Sequence, residues 1–187
     1  MKSLIGHNAN HKSNNAGGLI LGEINTNNTG WKVQFSLDND IEIERLSIAE
    51  LNIGEQRSEN EILARLLRDI NSASERTRVW ASEILCSFIE EVGPDLELQI
   101  LRTSIIAMVD RIAIEGNWEV GQQLGEGIHE FICLQKFDKA SELALIRKLA
   151  LLDKDYLYSY LDDEEYLQIK EVNDFINNKT KWWNGGS

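Results

Sequence analysis

The hydrophobic period of this chain changes once, close to residue 58. Before that point WKVQFSL (31–37) sets Trp31, Val33, Phe35 and Leu37 on one side, and IEIERL (41–46) sets Ile41 and Ile43 against Glu42 and Glu44. A period of two belongs to strands with one covered face. GLILGEI (18–24) is a third strand candidate, and NTNNTG and DND supply turn residues, with Gly30 able to take positive φ. Two hairpins make a small antiparallel sheet that needs a helix over its apolar side. Residues 1–17 are rich in Asn, His, Ser, Lys and Gly, show neither period, and read as a flexible N-terminal tail.

Beyond residue 58 the period is helical. Ser58 and Glu61 form a capping box ahead of Ile62, Leu63, Leu66, Leu67 and Ile70. Ser72 and Glu75 form a second box, before a helix that carries Trp80, Ile84, Leu85, Phe88, Ile89 and Val92 and stops at Gly93-Pro94. Asp95 is the expected cap of a helix from Leu96 to Glu115, apolar nearly all round and so expected to be central and buried. Asn117 caps a helix with the stripe Val120, Leu124, Ile128, Phe131 and Ile132, in which Gly121 and Gly125, one turn apart, leave room for a close neighbour. Asp138 starts a helix with Leu143, Ile146, Leu149 and Leu152, and a last helix is expected near 163–178. The single proline suits a mainly helical chain, and the lack of a fixed period with recurring residue types disfavours a solenoid. The expected architecture is mainly α: one domain over 18–187, with about six helices (58–178) in a compact bundle packed on a three-stranded antiparallel sheet (18–46).

The formal charge is −12 and the isoelectric point near 4.7. Such a chain repels nucleic-acid phosphates and anionic membranes and attracts basic surfaces, although solubility alone is the plainer reading. No apolar h-region or stretch of ~18 apolar residues is present, so a cytoplasmic protein is expected, with Cys86 and Cys133 as reduced core residues. Arg57, Arg65, Arg68, Arg76 and Arg78 cluster, but Glu55, Glu59, Glu61, Asp69 and Glu75 cancel them.

Catalytic and metal-binding patterns fail on their own chemistry. Asp153, Asp155, Ser159 and Glu164 match calcium-loop positions, but Leu157 and Tyr158 stand where an oxygen ligand and a glycine are required. Glu126 and His129 make one E-x-x-H, and a di-iron bundle needs two. His7 and His11 have helical ligand spacing in a segment unsuited to a helix. Nothing nearby lowers a cysteine pKa, and no phosphate loop, nucleophile elbow or dinucleotide fingerprint appears. The reading is a non-enzyme without metal or cofactor.

One window stands out. Residues 153–166, DKDYLYSYLDDEEY, hold all four tyrosines and six acids. From Glu115 to Asp174 there are 14 acids against 6 bases. On a helix, Leu157 and Leu161 face one way, while Tyr156 and Tyr160 share an adjacent face. Tyrosine is a frequent interface anchor, and carboxylates around it steer a basic partner. The candidate partner-binding residues are therefore Tyr156, Tyr160, Asp162, Asp163, Glu164 and Glu165, with Trp182 and Trp183 able to join them or simply to pin the last helix. The alternative is that these tyrosines are half-buried core residues whose hydroxyls reach solvent beside a solvated acidic edge. In build, being small, acidic and without catalytic equipment, the chain resembles the immunity proteins that bacteria pair with secreted toxins. That resemblance implies capture and neutralisation of a basic protein, such as a toxin domain. A second expectation is a helical adaptor or secretion chaperone with an apolar groove, and a third is an enzyme using carboxylates alone.

Overall fold

A computed structural model describes residues 3–26 and 30–183, with 25–26, 30–31 and 180–183 described through their backbone. Residues 27–29, within the expected turn, and the side chains of Trp31, Trp182 and Trp183 lie outside the described residues. Among the described residues 59% are helical, in seven α-helices, and five strands form one antiparallel sheet. None of these helices is long and apolar enough to cross a membrane. The chain divides into two compact units, Met1–Phe88 and Ile89–Ser187, where the sequence reads one domain.

Unit 1 is built on the sheet: β1 (His7–His11), β2 (Gly17–Thr26), β3 (Gly30–Leu37), β4 (Ile43–Ser47) and β5 (Leu51–Gln56), in the order β4-β3-β2-β1-β5. The expected three strands are β2, β3 and β4, and two were missed. β1 lies in the segment read as a tail. Its HNANH has no alternation of its own, and pairing on both sides makes it a strand, with Ala9 opposite Gly18 on β2 and Ile53 on β5. Strand formation here comes from context more than intrinsic preference. Ala9, Ile20, Val33, Phe35 and Leu51 bury one continuous cluster. Ile41, expected inside a strand, precedes β4 and is exposed.

Helix α1 (Glu59–Asp69) begins at the Ser58–Glu61 capping box, as expected, and packs against β2. Its last turn is tied to the end of β3. Arg65 donates to the Ser36 and Leu37 carbonyls and pairs with Asp38 at 2.6 Å. Arg68 donates to the Leu37 carbonyl and pairs at 2.7 Å with Asp69, which is fully buried and accepts from the Ser36 hydroxyl. Burial pushes the Asp69 carboxyl up, against the opposing pull of Ser36 and Arg68. Arg65 and Arg68 thus latch a helix to a sheet, while Arg57 pairs with Glu61 at 3.2 Å, within the intrahelical and interhelical pairing expected from the sequence. Helix α2 (Glu75–Val92) starts from Ser74, whose hydroxyl accepts from the Thr77 amide; Ser72, the expected cap, donates instead to the Ile41 carbonyl.

Unit 2 continues through a 3-10 turn at Gly93–Asp95, held by the Lys136 ammonium, which donates to the Gly93, Pro94 and Leu96 carbonyls. Helix α3 (Leu98–Ile114) starts at Glu97, so Asp95 is not its cap. Helix α4 (Trp118–Cys133) is capped by Asn117, and α5 (Lys139–Leu151) by Asp138, both as expected. Next come a 3-10 turn (Asp155–Leu157), the single-turn α6 (Tyr158–Leu161), a 3-10 turn (Tyr166–Gln168) and α7 (Lys170–Trp183). α3 packs on α4, α5 on α7, and the 155–161 segment on α4. Leu101, Met108 and Ile112 are buried, but Ile106 and Ile114 are exposed, so α3 is not enclosed all round.

Candidate functional site

The window leaves α5 through Asp153, which takes the left-handed conformation at φ 50°, and then winds into helical turns that bury Leu157 and Leu161. Those turns lie against the glycine pair of α4. A β-carbon on Gly121 would stand 2.2 Å from Tyr156 Cζ, and one on Gly125 would stand 2.9 Å from Tyr160 Cε2 and 3.1 Å from Leu157 Cδ2. The two glycines admit two tyrosines, each pair one helical turn apart. Tyr156 Oη does not reach solvent, as the alternative reading expected, but is buried with no hydrogen-bond partner among the described residues. Burial first and Glu115 second push its phenol up to about 12. Tyr160 Oη donates to the Gln122 carbonyl at 3.4 Å, and its ring centroid is 5.8 Å from that of His129. Tyr156 and Tyr160 are therefore half-buried against α4.

The acids are exposed, and lysines neutralise some of them. Lys179 pairs with Asp153 at 3.2 Å and also with Asp155. Lys139 bridges Glu142 at 3.0 Å and Glu165 at 2.8 Å, and these two acids push its ammonium up. Tyr166 donates to Glu142 at 2.6 Å; burial and that carboxylate push its phenol up. Asp163 accepts from the Glu165 amide at 2.8 Å. Asp162, Asp163 and Glu164 have no lysine or arginine partner among the described residues, and they carry the net charge of the face.

Beside the window is a cleft of about 470 Å³ lined by Trp118, Gln122, Asp155, Tyr156, Tyr158 and Ser159. Trp118, 67% exposed, was not among the residues singled out from sequence. Ile114 (74%) and Leu151 (67%) are equally exposed at the same end of this unit. Two contacts place α5 there. Lys148 pairs with Asp110 at 3.6 Å, and Lys154 donates to the Glu115 carbonyl at 3.1 Å. The turn between α3 and α4 is organised by the Glu115 carboxylate, which accepts from Arg111 at 2.6 Å and from the Gly116 and Asn117 amides. A helical-wheel signal for the missed trio exists. Ile114, Trp118 and Leu151 each stand two positions from a buried residue (Ile112, Val120, Leu149), and two positions on an α-helix is about 200°, the opposite face.

Cys86 is buried, but Cys133 is exposed, contrary to expectation; its Sγ lies 3.6 Å from His129 Nε2. Burial, Glu130 and Glu142 push that thiol up, which favours the protonated form over the nucleophilic thiolate. Among the described residues no three His, Cys, Asp or Glu side chains converge on a common metal position. No family model matches this chain, and comparison with curated proteins and with solved structures finds no match.

Proposed function

We propose that this chain is a non-catalytic binding protein that captures and neutralises a basic protein partner, in the manner of an immunity protein or antitoxin. The observation that carries the reading is the exposed run Asp162–Glu165, which follows in the chain on the residues Asp155, Tyr156, Tyr158 and Ser159 that line an open cleft with aromatic walls. Asp162, Asp163 and Glu164, which have no lysine or arginine partner among the described residues, raise the encounter rate of a basic surface, and aromatic side chains supply contact area at small entropic cost. The half-burial of Tyr156 and Tyr160 gives them a supporting role in this reading, holding the acidic turn on α4. The test is affinity capture with the full chain, washed at low and at high salt, beside a variant in which Asp162, Asp163, Glu164 and Glu165 become amides. One basic protein kept at low salt, shed at high salt and captured more slowly by the variant is the expected result. Capture indifferent to both salt and variant removes the reading.

A second reading, a helical adaptor or secretion chaperone, is favoured by the exposed Ile106, Ile114, Trp118 and Leu151. It predicts several clients whose retention does not respond to salt.

A further inference from the structure

Ile114, Trp118 and Leu151 are the three most exposed large apolar side chains among the described residues, and all three lie where α3 ends, α4 begins and α5 ends. Each turns away from its own helix's buried stripe, so the trio is surplus to the core. We propose that this end of unit 2 is the docking site for a basic segment of the partner. A lysine or arginine side chain enters the cleft between Trp118 and Tyr156–Tyr158, and a neighbouring apolar residue covers Ile114 and Leu151. The inference rests on the binding reading above and names the surface and chemistry that reading uses.

Three observations select a cation as occupant. Indole and phenol faces attract guanidinium and ammonium groups through their quadrupoles. The cleft also contains polar acceptors: Asp155, of which Lys179 engages Oδ1, and the Gln122 and Ser159 side chains. Finally, the lysines around it are already committed, Lys148 to Asp110, Lys154 to the Glu115 carbonyl and Lys179 to Asp153 and Asp155. At the cleft itself, two carboxylates, Asp153 and Asp155, share the one Lys179 ammonium, so the cluster keeps a net negative charge toward an incoming cation. A second copy of this acidic chain would bring like charge against like.

The probe is a five-residue peptide of alternating arginine and leucine, titrated at low salt into the full 15N-labelled chain, with the matching glutamate–leucine peptide as control. The Trp118 indole resonance and the Gln122 and Tyr158 amides are expected to move with the basic peptide alone. Trp118→Ala is expected to weaken binding about 30-fold, the scale of a buried aromatic hot spot, and Trp118→Phe to keep most of it. Because the Trp118 ring is outside the core, unchanged spectral dispersion checks that both variants fold. The four-amide variant at Asp162–Glu165 is expected to retain the Trp118 shift. Salt-sensitive binding that Trp118→Ala leaves intact, with shifts centred on Asp162–Glu165, overturns this site while sparing the broader reading. Absence of salt-sensitive binding anywhere overturns both. Shifts that follow protein concentration instead of peptide make the surface a self-association face and overturn the proposal.

Discussion

The ring of Tyr156 occupies the space that a β-carbon on Gly121 would fill. The tyrosine-rich window and the glycines of α4, more than thirty positions apart in the chain, are thus two halves of one packing arrangement. Gly121→Ala is expected to destabilise the protein by about 1–3 kcal/mol through overpacking, partly offset by about 1 kcal/mol of helix propensity. Gly125→Ala, whose methyl meets the edge of Tyr160 at a longer distance, is expected to cost less. Combining Gly121→Ala with Tyr156→Ala should cost less than the sum of the two changes, as measured in a denaturant double-mutant cycle.

The buried Tyr156 hydroxyl has no partner among the described residues, so Tyr156→Phe removes an unsatisfied group and is expected to be neutral or stabilising by up to about 1 kcal/mol. The pH dependence follows from the same geometry. A phenol whose folded pKa is raised from 10.0 to about 12 contributes stability that is complete below pH 10 and is lost as pH rises through about 12. Melting temperature in the wild type should therefore fall across that window, and less so in Tyr156→Phe.

Removing one member of the α1 latch leaves its partners stranded. Asp69→Ala is expected to cost about 3–5 kcal/mol, since it leaves Arg68 without its carboxylate and the Ser36 hydroxyl without its acceptor. Asp69→Asn, which keeps an acceptor oxygen, should cost visibly less in the same urea titration.

Glu115 plays the corresponding part in unit 2. Glu115→Ala should cost about 3 kcal/mol by leaving Arg111 without its carboxylate and two turn amides without their acceptor. The turn it organises positions Trp118, so the indole resonance of Trp118 should broaden or move in this variant while those near Tyr166 stay put.

What could be read from the sequence was local and periodic. Ser58 with Glu61, Asn117 and Asp138 mark helix starts because capping satisfies amides within a few residues of the cap. The glycine pair 121/125 signalled a close approach, and Leu157 with Leu161 signalled helical turns in the window. What could not be read depends on partners distant in sequence. HNANH is a strand only between β2 and β5; LNIGEQ buries one residue of its six. The arginines of α1 were paired by proximity in sequence, whereas Arg65 reaches back to Asp38. The exposure of Ile114, Trp118 and Leu151 is not marked by any periodicity of its own, because each lies opposite the apolar stripe that defines its helix.

The position of β1 inside the sheet sets an order of assembly. As the chain is synthesised, β1 can pair with β2 early, but its other edge stays open until Leu51–Gln56 emerges to close it. A nascent chain stopped before residue 51 would present that open edge to whatever strand it met first. Removing the first dozen residues would take away an inner strand, and β5 would lose the strand it pairs with.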